Sequence, residues 1–247
     1  MNPIGTPFIE LPTVESTNNY AMGLVHEGMA QHGMAVFAHE QTRGKGQREK
    51  TWISDAGKNI ALSVVIAPQT LAPSEPFLLS MAVAVATAEF LSKYTVGDIS
   101  IKWPNDIYWR DRKAAGILIE NVWQGTNWKF AVAGIGININ QAEFGELDNK
   151  AVSLKQITGR ECRPVELARL LCDQLEIQYM RLLDKKEDII RDYRSRLYQL
   201  NRPVRLKQGN RQFDAVIKDV TTRGELLVFH QAEELFQVGE VEWMKTF

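Results

Sequence analysis

Residues 99–139 hold four strand-like runs with almost nothing between them, and this constrains the fold more than any other feature. The runs, residues 99–103, 106–109, 113–123 and 128–139, are joined by Pro104-Asn105, Arg110-Asp111-Arg112 and Gly125-Thr126-Asn127. Connections this short join antiparallel neighbours, because a parallel crossover needs a dozen residues or more. An antiparallel meander is therefore predicted at the centre of the chain. Ahead of it, Ser16-Thr17-Asn18 precedes Tyr20, Ala21, Leu24 and Val25 at helical spacing, so Ser16 or Thr17 serves as an N-cap. Residues 34–38 and 59–67 read as buried strands, and Pro73-Ser74-Glu75 opens a long apolar helix ending near Tyr94. After Glu143 the pattern turns helical and charged, at residues 152–157 and 164–200, as on the outside of a sheet. Asn201-Arg202-Pro203 breaks it. Short alternating runs follow (204–206, 213–220, 226–229, 240–244), a pattern that predicts a small barrel-like module. The division expected is a mixed main domain, residues 1–200, and an all-β tail, residues 201–247.

Composition removes several function classes. The 29 Lys+Arg against 30 Asp+Glu in 247 residues give a formal charge of −1, which argues against binding nucleic acid or anionic lipid through bulk charge. Two cysteines, Cys162 and Cys172, make no disulfide framework and point to a reducing compartment. The start, Met1-Asn2-Pro3-Ile4-Gly5-Thr6-Pro7, has neither the basic nor the apolar part of a signal peptide, and no apolar run is long enough to span a bilayer. A cytoplasmic protein is expected. The histidines have no metal-ligand spacing, so no protein metal site is assigned.

Three segments could carry chemistry. Residues 41–52 place Gly44 and Gly46 among Arg43, Lys45, Arg48 and Lys50. Such a loop suits a polyanion such as a triphosphate, although composition alone favours a solvated surface loop; it is not a Walker A loop. Lys102-Trp103-Pro104-Asn105-Asp106 followed by Lys113-Ala114-Ala115-Gly116 brings two lysines near each other across a hairpin, which calls for an anionic partner. An ordinary turn satisfied by Asn and Asp weighs equally. In residues 132–140, strand alternation puts Val132, Gly134, Gly136, Asn138 and Asn140 on one face and Ala133, Ile135, Ile137 and Ile139 on the other. The bare glycine face leaves room for a flat ligand, or for a closely packed helix; the ligand is modestly favoured.

Taken together, Ser16-Thr17-Asn18, Gln41-Thr42 with Gly44-Lys45-Gly46 and Trp52, Lys102 to Asp106, Lys113 to Glu120 and Gly134-Ile135-Gly136-Ile137-Asn138 resemble the biotin protein ligases (biotin–[acetyl-CoA-carboxylase] ligases), motif by motif over residues 13 to 140. The resemblance implies an α+β, class II synthetase-like mixed or antiparallel sheet flanked by helices, with a small C-terminal SH3-like β-barrel. It implies adenylation of biotin by Mg-ATP and transfer to a lysine of a biotin carboxyl carrier domain of a biotin-dependent carboxylase. Lys113 would be catalytic, stabilising charge at the carboxylate and α-phosphate. Ser16, Thr17, Asn18, Gln41, Lys45, Gly46 and Gly116 would bind biotin. Arg48, Lys50, Trp52, Lys102, Asn105, Gly134, Gly136 and Asn138 would bind ATP or the adenylate, with Trp52 beside the adenine. Mg²⁺ would accompany ATP.

The chain departs from the family pattern in its loop. Gln47 occupies the position of a conspicuous arginine five residues before the tryptophan, with Arg48 one residue later, and Lys45 replaces another arginine. Only 15 residues precede Ser16, too few for a winged helix, so a single-function ligase rather than a repressor is expected. The alternatives are a lipoate or octanoate ligase, disfavoured by Lys102-Trp103-Pro104, and a non-catalytic biotin sensor, disfavoured by Lys113. Residues 128–133 form either an edge strand that pairs in a homodimer or a covered edge.

Overall fold

A computed structural model describes residues 2–48, 50–68 and 71–244. Glu49, within the glycine-and-basic segment, and residues 245–247 of the expected tail lie outside them. The elements are β1 (Phe8–Val14), α1 (Thr17–His26), β2 (Ala35–Gln41), β3 (Ile60–Ile66), α2 (Pro76–Ser92), β4 (Ile99–Lys102), β5 (Asp106–Trp109), β6 (Arg112–Gln124), β7 (Asn127–Ile137), α3 (Leu154–Thr158), α4 (Pro164–Asp184) and α5 (Lys186–Ser195). They are followed by β8 (Pro203–Gln208), β9 (Arg211–Val220), β10 (Leu226–His230), β11 (Ala232–Phe236) and β12 (Glu242–Trp243).

The meander is present, as the order β7-β6-β5-β4, antiparallel throughout. It continues through β3 and β2 to β1, making one seven-stranded sheet in which only the β1–β2 pair is parallel. Strand β1 was not anticipated: Pro12 interrupts the run, and an edge strand is where a missing N–H is tolerated. Strand β7 lies inside the sheet. Its residues 131–137 pair with both β3 and β6, and only residues 127–130 extend past β3, so the covered-edge alternative describes most of this strand.

One face of the sheet carries the aliphatic set predicted for β7, continued by Ile60, Leu62, Val64 and Ile66 of β3. Helix α2 packs there with α4 and α5. It is apolar all round, with Leu78, Leu79 and residues 81–88 buried, so it forms the centre of the core rather than a surface helix. The other face carries α1 at one end, over Val36, Val65 and Val132. Ser16 is the N-cap of α1 and accepts from the Asn19 N–H. The expected helical stretch 164–200 is divided at Lys185, whose backbone leaves the helical region. Cys162 is half-buried and Cys172 buried, and burial pushes the Cys172 thiol up to about 12. None of the described helices is long and apolar enough to cross a membrane.

The tail forms a second, wholly antiparallel sheet of order β11-β10-β9-β8-β12. Among the described residues no ladder joins β11 to β12, so the sheet is open rather than a closed barrel. It is fixed to the rest of the chain through Trp103, which is buried, and through Arg194 of α5, which is partly exposed. Trp103 Nε1 donates to the Gly224 carbonyl at 2.9 Å, Arg194 pairs with Asp219 and donates to the Val220 carbonyl, and the apolar core runs through both parts.

Candidate functional site

The site lies on the sheet face opposite α2, where side chains are small. In register, Gly116 and Leu118 of β6 face Gly136 and Gly134 of β7, which face Ala61 and Ser63 of β3. Of the two readings of the glycine face, the closely packed helix holds at Gly134, and a loop side chain rather than a helix covers Gly136. A Cβ on Gly134 would overlap the Asn18 side chain of α1, and one on Gly136 would overlap the Trp52 ring. The glycines admit a helix residue on one side and the glycine-and-basic loop on the other.

Lys113 reaches this face through a bulge. Ile107 pairs with Ala115 while Tyr108 pairs with Lys113, so Ala114 is an extra residue in β6. Regular alternation would place Lys113 on the core face with Ala115 and Ile117; the extra residue turns it to the side of Gly116. A Cβ on Gly116 would lie 3.1 Å from the Lys113 Nζ. The ammonium pairs with Asp106 Oδ1 at 2.6 Å and stands 5.6 Å from the centroid of the Trp52 ring. Its backbone is clamped as well: Lys113 N–H donates to the Lys150 carbonyl, and Val152 N–H donates to the Lys113 carbonyl. Asn138 Nδ2 donates to the carbonyls of Lys113 and Val152, both at 3.3 Å, which makes Asn138 a brace for this segment. Asn105 is similarly engaged, donating to the Ile117 carbonyl at 2.5 Å.

Two cavities meet at Lys113. The narrow one, about 50 Å³, is lined at its polar end by Ser16, Thr17, Asn18 and Gln41. Gln41 Oε1 accepts from the Thr17 N–H at 2.8 Å and from its hydroxyl at 3.1 Å, leaving the Gln41 amide N–H groups for other acceptors. Ser63 Oγ donates to Asn18 Oδ1 at 2.6 Å and lies 2.7 Å from Thr17 Oγ1. Asn18 Nδ2 donates to Glu120 Oε2, and Lys45 Nζ donates to the other oxygen of that carboxylate, both at 2.9 Å. Glu120 thereby ties the loop to α1. The loop itself is closed by a Lys45–Thr51 bridge and by Gly46 N–H donating to the Lys50 carbonyl.

The wide cavity, about 750 Å³, runs from Trp52 to the second sheet. Its lining carries five cationic residues (Arg48, Lys50, Lys102, Lys113, Lys150) against two carboxylates (Asp106, Glu242) among the described residues, so it favours an anion. Trp52 Nε1 is a buried donor with no acceptor among the described residues. Gln47 lies where the cavities meet, whereas the Arg48 guanidinium sits on the Gly239 backbone, in the space a Cβ there would fill. The charge beside the junction is therefore that of Lys113, and the arginine charge is at the outer rim.

The residues that the resemblance assigns to the site all line one or other of these cavities, whereas Arg43, Gly44 and Asn140 do not: Arg43 pairs with Glu15 at the surface and Asn140 is bonded to the Cys162 backbone. Sequence reasoning missed Ser63, Lys150 and Trp243. A polar Ser63 within an apolar strand was a usable signal. Lys150, in an irregular segment, and Trp243, in a two-residue strand, gave none.

The sequence profile of the biotin/lipoate A/B protein ligase family matches residues 10–138. The chain is 30% identical over 223 residues to the bifunctional ligase/repressor BirA of Escherichia coli K12, covering 88% of this chain and 68% of that one. It is 29% identical over 225 residues to the biotin–[acetyl-CoA-carboxylase] ligase of Paracoccus denitrificans, covering 88% and 92%. Among solved structures, the fold is similar to a biotin protein ligase from Aquifex aeolicus in complex with biotin and ATP. That match has a TM-score of 0.81 at 24% identity, covering 97% of this chain and 99% of that one.

Proposed function

Since the chain belongs to the biotin/lipoate A/B protein ligase family, we propose that it activates biotin with Mg-ATP to biotinyl-5′-AMP and transfers the biotinyl group to a lysine of a biotin carboxyl carrier domain. The observation that carries this is the placement of Lys113 where a narrow polar cavity meets a wide cationic one. A carboxylic acid held in the first and a nucleotide in the second would bring carboxylate and α-phosphate together at one ammonium.

In the first step a biotin carboxylate oxygen bonds to the α-phosphorus as the bond to the bridging oxygen breaks, and pyrophosphate leaves. Lys113 neutralises charge at the oxygens of both partners, and Asp106 holds its ammonium in place. In the second step the carrier lysine amine attacks the acyl carbon, AMP leaves, and the amine loses a proton. Ser16, Thr17, Asn18 and Gln41 offer the hydroxyl and amide groups that a ureido ring requires, whereas a lipoyl ring has no comparable polar edge. Lys45, Gly46 and Gly116 complete the walls on the biotin side. On the nucleotide side, Arg48, Lys50 and Lys102 supply positive charge, Trp52 a flat surface, and Asn105 and Asn138 bracing, while Gly134 and Gly136, expected to bind the adenylate, line the narrow cavity, where Gly136 gives the Trp52 ring its clearance. Of the lining carboxylates Asp106 is already engaged by Lys113, so Mg²⁺ would enter with ATP, carried by phosphate oxygens. The narrow cavity holds a few waters at most, so the loop ending at Trp52 would have to swing out to admit the bicyclic ring and return to shield the adenylate from hydrolysis.

We read residues 1–200 as the catalytic unit and residues 201–247 as an SH3-like module; Lys218 is an extra residue in β9 opposite Leu227 and Val228, a bulge of the kind that bends a strand. A cytoplasmic location and a homodimer that uses the overhang of β7 belong to the same reading.

Pyrophosphate release from Mg-ATP should require biotin and should not occur with lipoate or without acid. Release with lipoate alone would transfer the chain to the lipoate branch of the family. No release with either acid, alongside calorimetric binding of biotin, would replace the ligase by a biotin-binding sensor. Arg48→Ala should leave the melting temperature unchanged while the adenylate escapes about fivefold faster, the scale of one solvent-exposed charge contact of up to ~1 kcal/mol. Trapping the released intermediate measures this, and an unchanged escape rate would remove Arg48 from the closure.

A further inference from the structure

Lys102, the last residue of β4, carries its ammonium in a box of three aromatic rings. Its Nζ lies 4.9 Å from the centroid of Tyr108, 5.1 Å from that of Trp243 and 5.8 Å from that of Tyr198, and donates to Tyr108 Oη at 3.3 Å. The rings also contact one another: Tyr198 packs against Tyr108 at 5.1 Å and against Trp243 at 5.8 Å. Trp243 comes from the second sheet, where β12 pairs with β8 and sets it opposite Leu206. The three rings thus come from β5, from the segment after α5 and from the last strand of the chain.

Among the described residues no carboxylate forms an ion pair with Lys102, in contrast to the Lys113–Asp106 pair beside it. Lys102 lines the wide cavity with Trp243 and Tyr108. A cation held by ring faces keeps its charge available to a ligand, while a carboxylate partner would cancel it. Several charged or titratable groups surround it. They are Asp106 and Tyr108 on β5, Lys113 on β6, Lys50 on the loop, Tyr198, and Glu242 beside Trp243 at the rim. Burial holds the ammonium below the ordinary lysine range, Lys113 and Lys50 push the same way, and Asp106 opposes them.

We infer that Trp243 is a positioning residue for the adenylation half-reaction: with Tyr108 and Tyr198 it fixes the Lys102 ammonium toward the nucleotide phosphates, so that the second sheet completes the nucleotide site. This rests on the wide cavity being the ATP site. Its consequence is that nucleotide affinity depends on how the tail is docked, while the biotin pocket, walled by α1, β3 and β7, does not.

The test compares Trp243→Leu and Trp243→Phe with the wild-type protein. ATP affinity is measured by calorimetry from neutral to alkaline pH, biotin affinity at neutral pH, and KM for ATP and kcat by pyrophosphate release. Trp243→Leu should weaken ATP binding about tenfold, the scale of a desolvated cation–ring contact, with biotin affinity unchanged and the rise in KM exceeding the fall in kcat. Trp243→Phe should recover most of the loss. In the wild type, ATP binding should decline on the alkaline side at a lower pH than an ordinary lysine would set, because the ammonium there is easily lost. In Trp243→Leu water enters the box and the decline should move to higher pH. Tyr198→Leu, which leaves the second sheet intact, should reproduce the effect and provides the measurement if the Trp243 variants fail to fold. Wild-type ATP affinity and an unmoved alkaline limb in both leucine variants would overturn the inference, as would equal losses of ATP and biotin affinity. Failure of the wild-type protein to bind ATP at all would instead overturn the nucleotide reading of the cavity.

Discussion

Lys113→Ala should yield a folded protein whose pyrophosphate release with biotin and Mg-ATP falls by about 10²–10³-fold, the range found when one preorganised charge-stabilising donor is removed. The fold should tolerate it. Lys113 and Asp106 are each only partly buried, and such a pair contributes about 0–1 kcal/mol to stability. The backbone hydrogen bonds to Lys150 and Val152 do not involve the side chain. Binding of biotin at the far end of the narrow cavity should change little, because Ser16, Thr17, Asn18 and Gln41 are held by Ser63, Glu120 and one another rather than by Lys113. The loss should therefore fall on kcat for adenylation and, separately, on transfer from chemically supplied biotinyl-5′-AMP. Lys113→Arg keeps the charge but presents it as a rigid fork, so its activity should lie between those of alanine and wild type. Near wild-type turnover in Lys113→Ala would remove this residue from the reaction and leave the junction of the cavities without a function.

Why this lysine is where it is marks the limit of what the sequence reveals. The meander was legible because its turns are too short for anything but antiparallel pairing, and the glycine face of β7 because alternation is a property of every strand. The bulge at Ala114 was not. One additional alanine among alanines leaves no trace in composition or periodicity, yet it decides which face Lys113 occupies. From the sequence the two lysines of this region looked like neighbours in need of a shared anion. In the folded chain each has its own surroundings, a carboxylate for Lys113 and three rings for Lys102. One of those rings lies 141 positions away, at Trp243, a separation that no local pattern bridges. Strand β11 escaped for a different reason: Ala232-Glu233-Glu234-Leu235-Phe236 is poor in strand-forming residues and is held in place by pairing with β10.

Gly136 separates a structural role from a ligand role most sharply. Gly136→Val should leave the melting temperature within a few degrees of wild type, since the backbone there is ordinary strand and a β-branched residue is favoured in one. The new side chain meets the Trp52 ring, a rigid group that cannot fold aside as a lysine would. The ring must leave its seat over Gly136 and Gly116 and take the end of the loop with it. If Trp52 is the surface on which the adenine rests, ATP affinity should fall about 10–100-fold, the scale of one base–aromatic stacking contact. Trp52→Ala should produce a loss of the same size by a different route. The decisive measurement is the double variant. Where both changes act through one ring, their effects on ATP binding should not add, and Gly136→Val with Trp52→Ala should bind ATP about as well as Trp52→Ala alone. Additive losses would mean that Gly136 meets the nucleotide directly. A large drop in melting temperature with unchanged ATP affinity would mean that the glycine serves only packing.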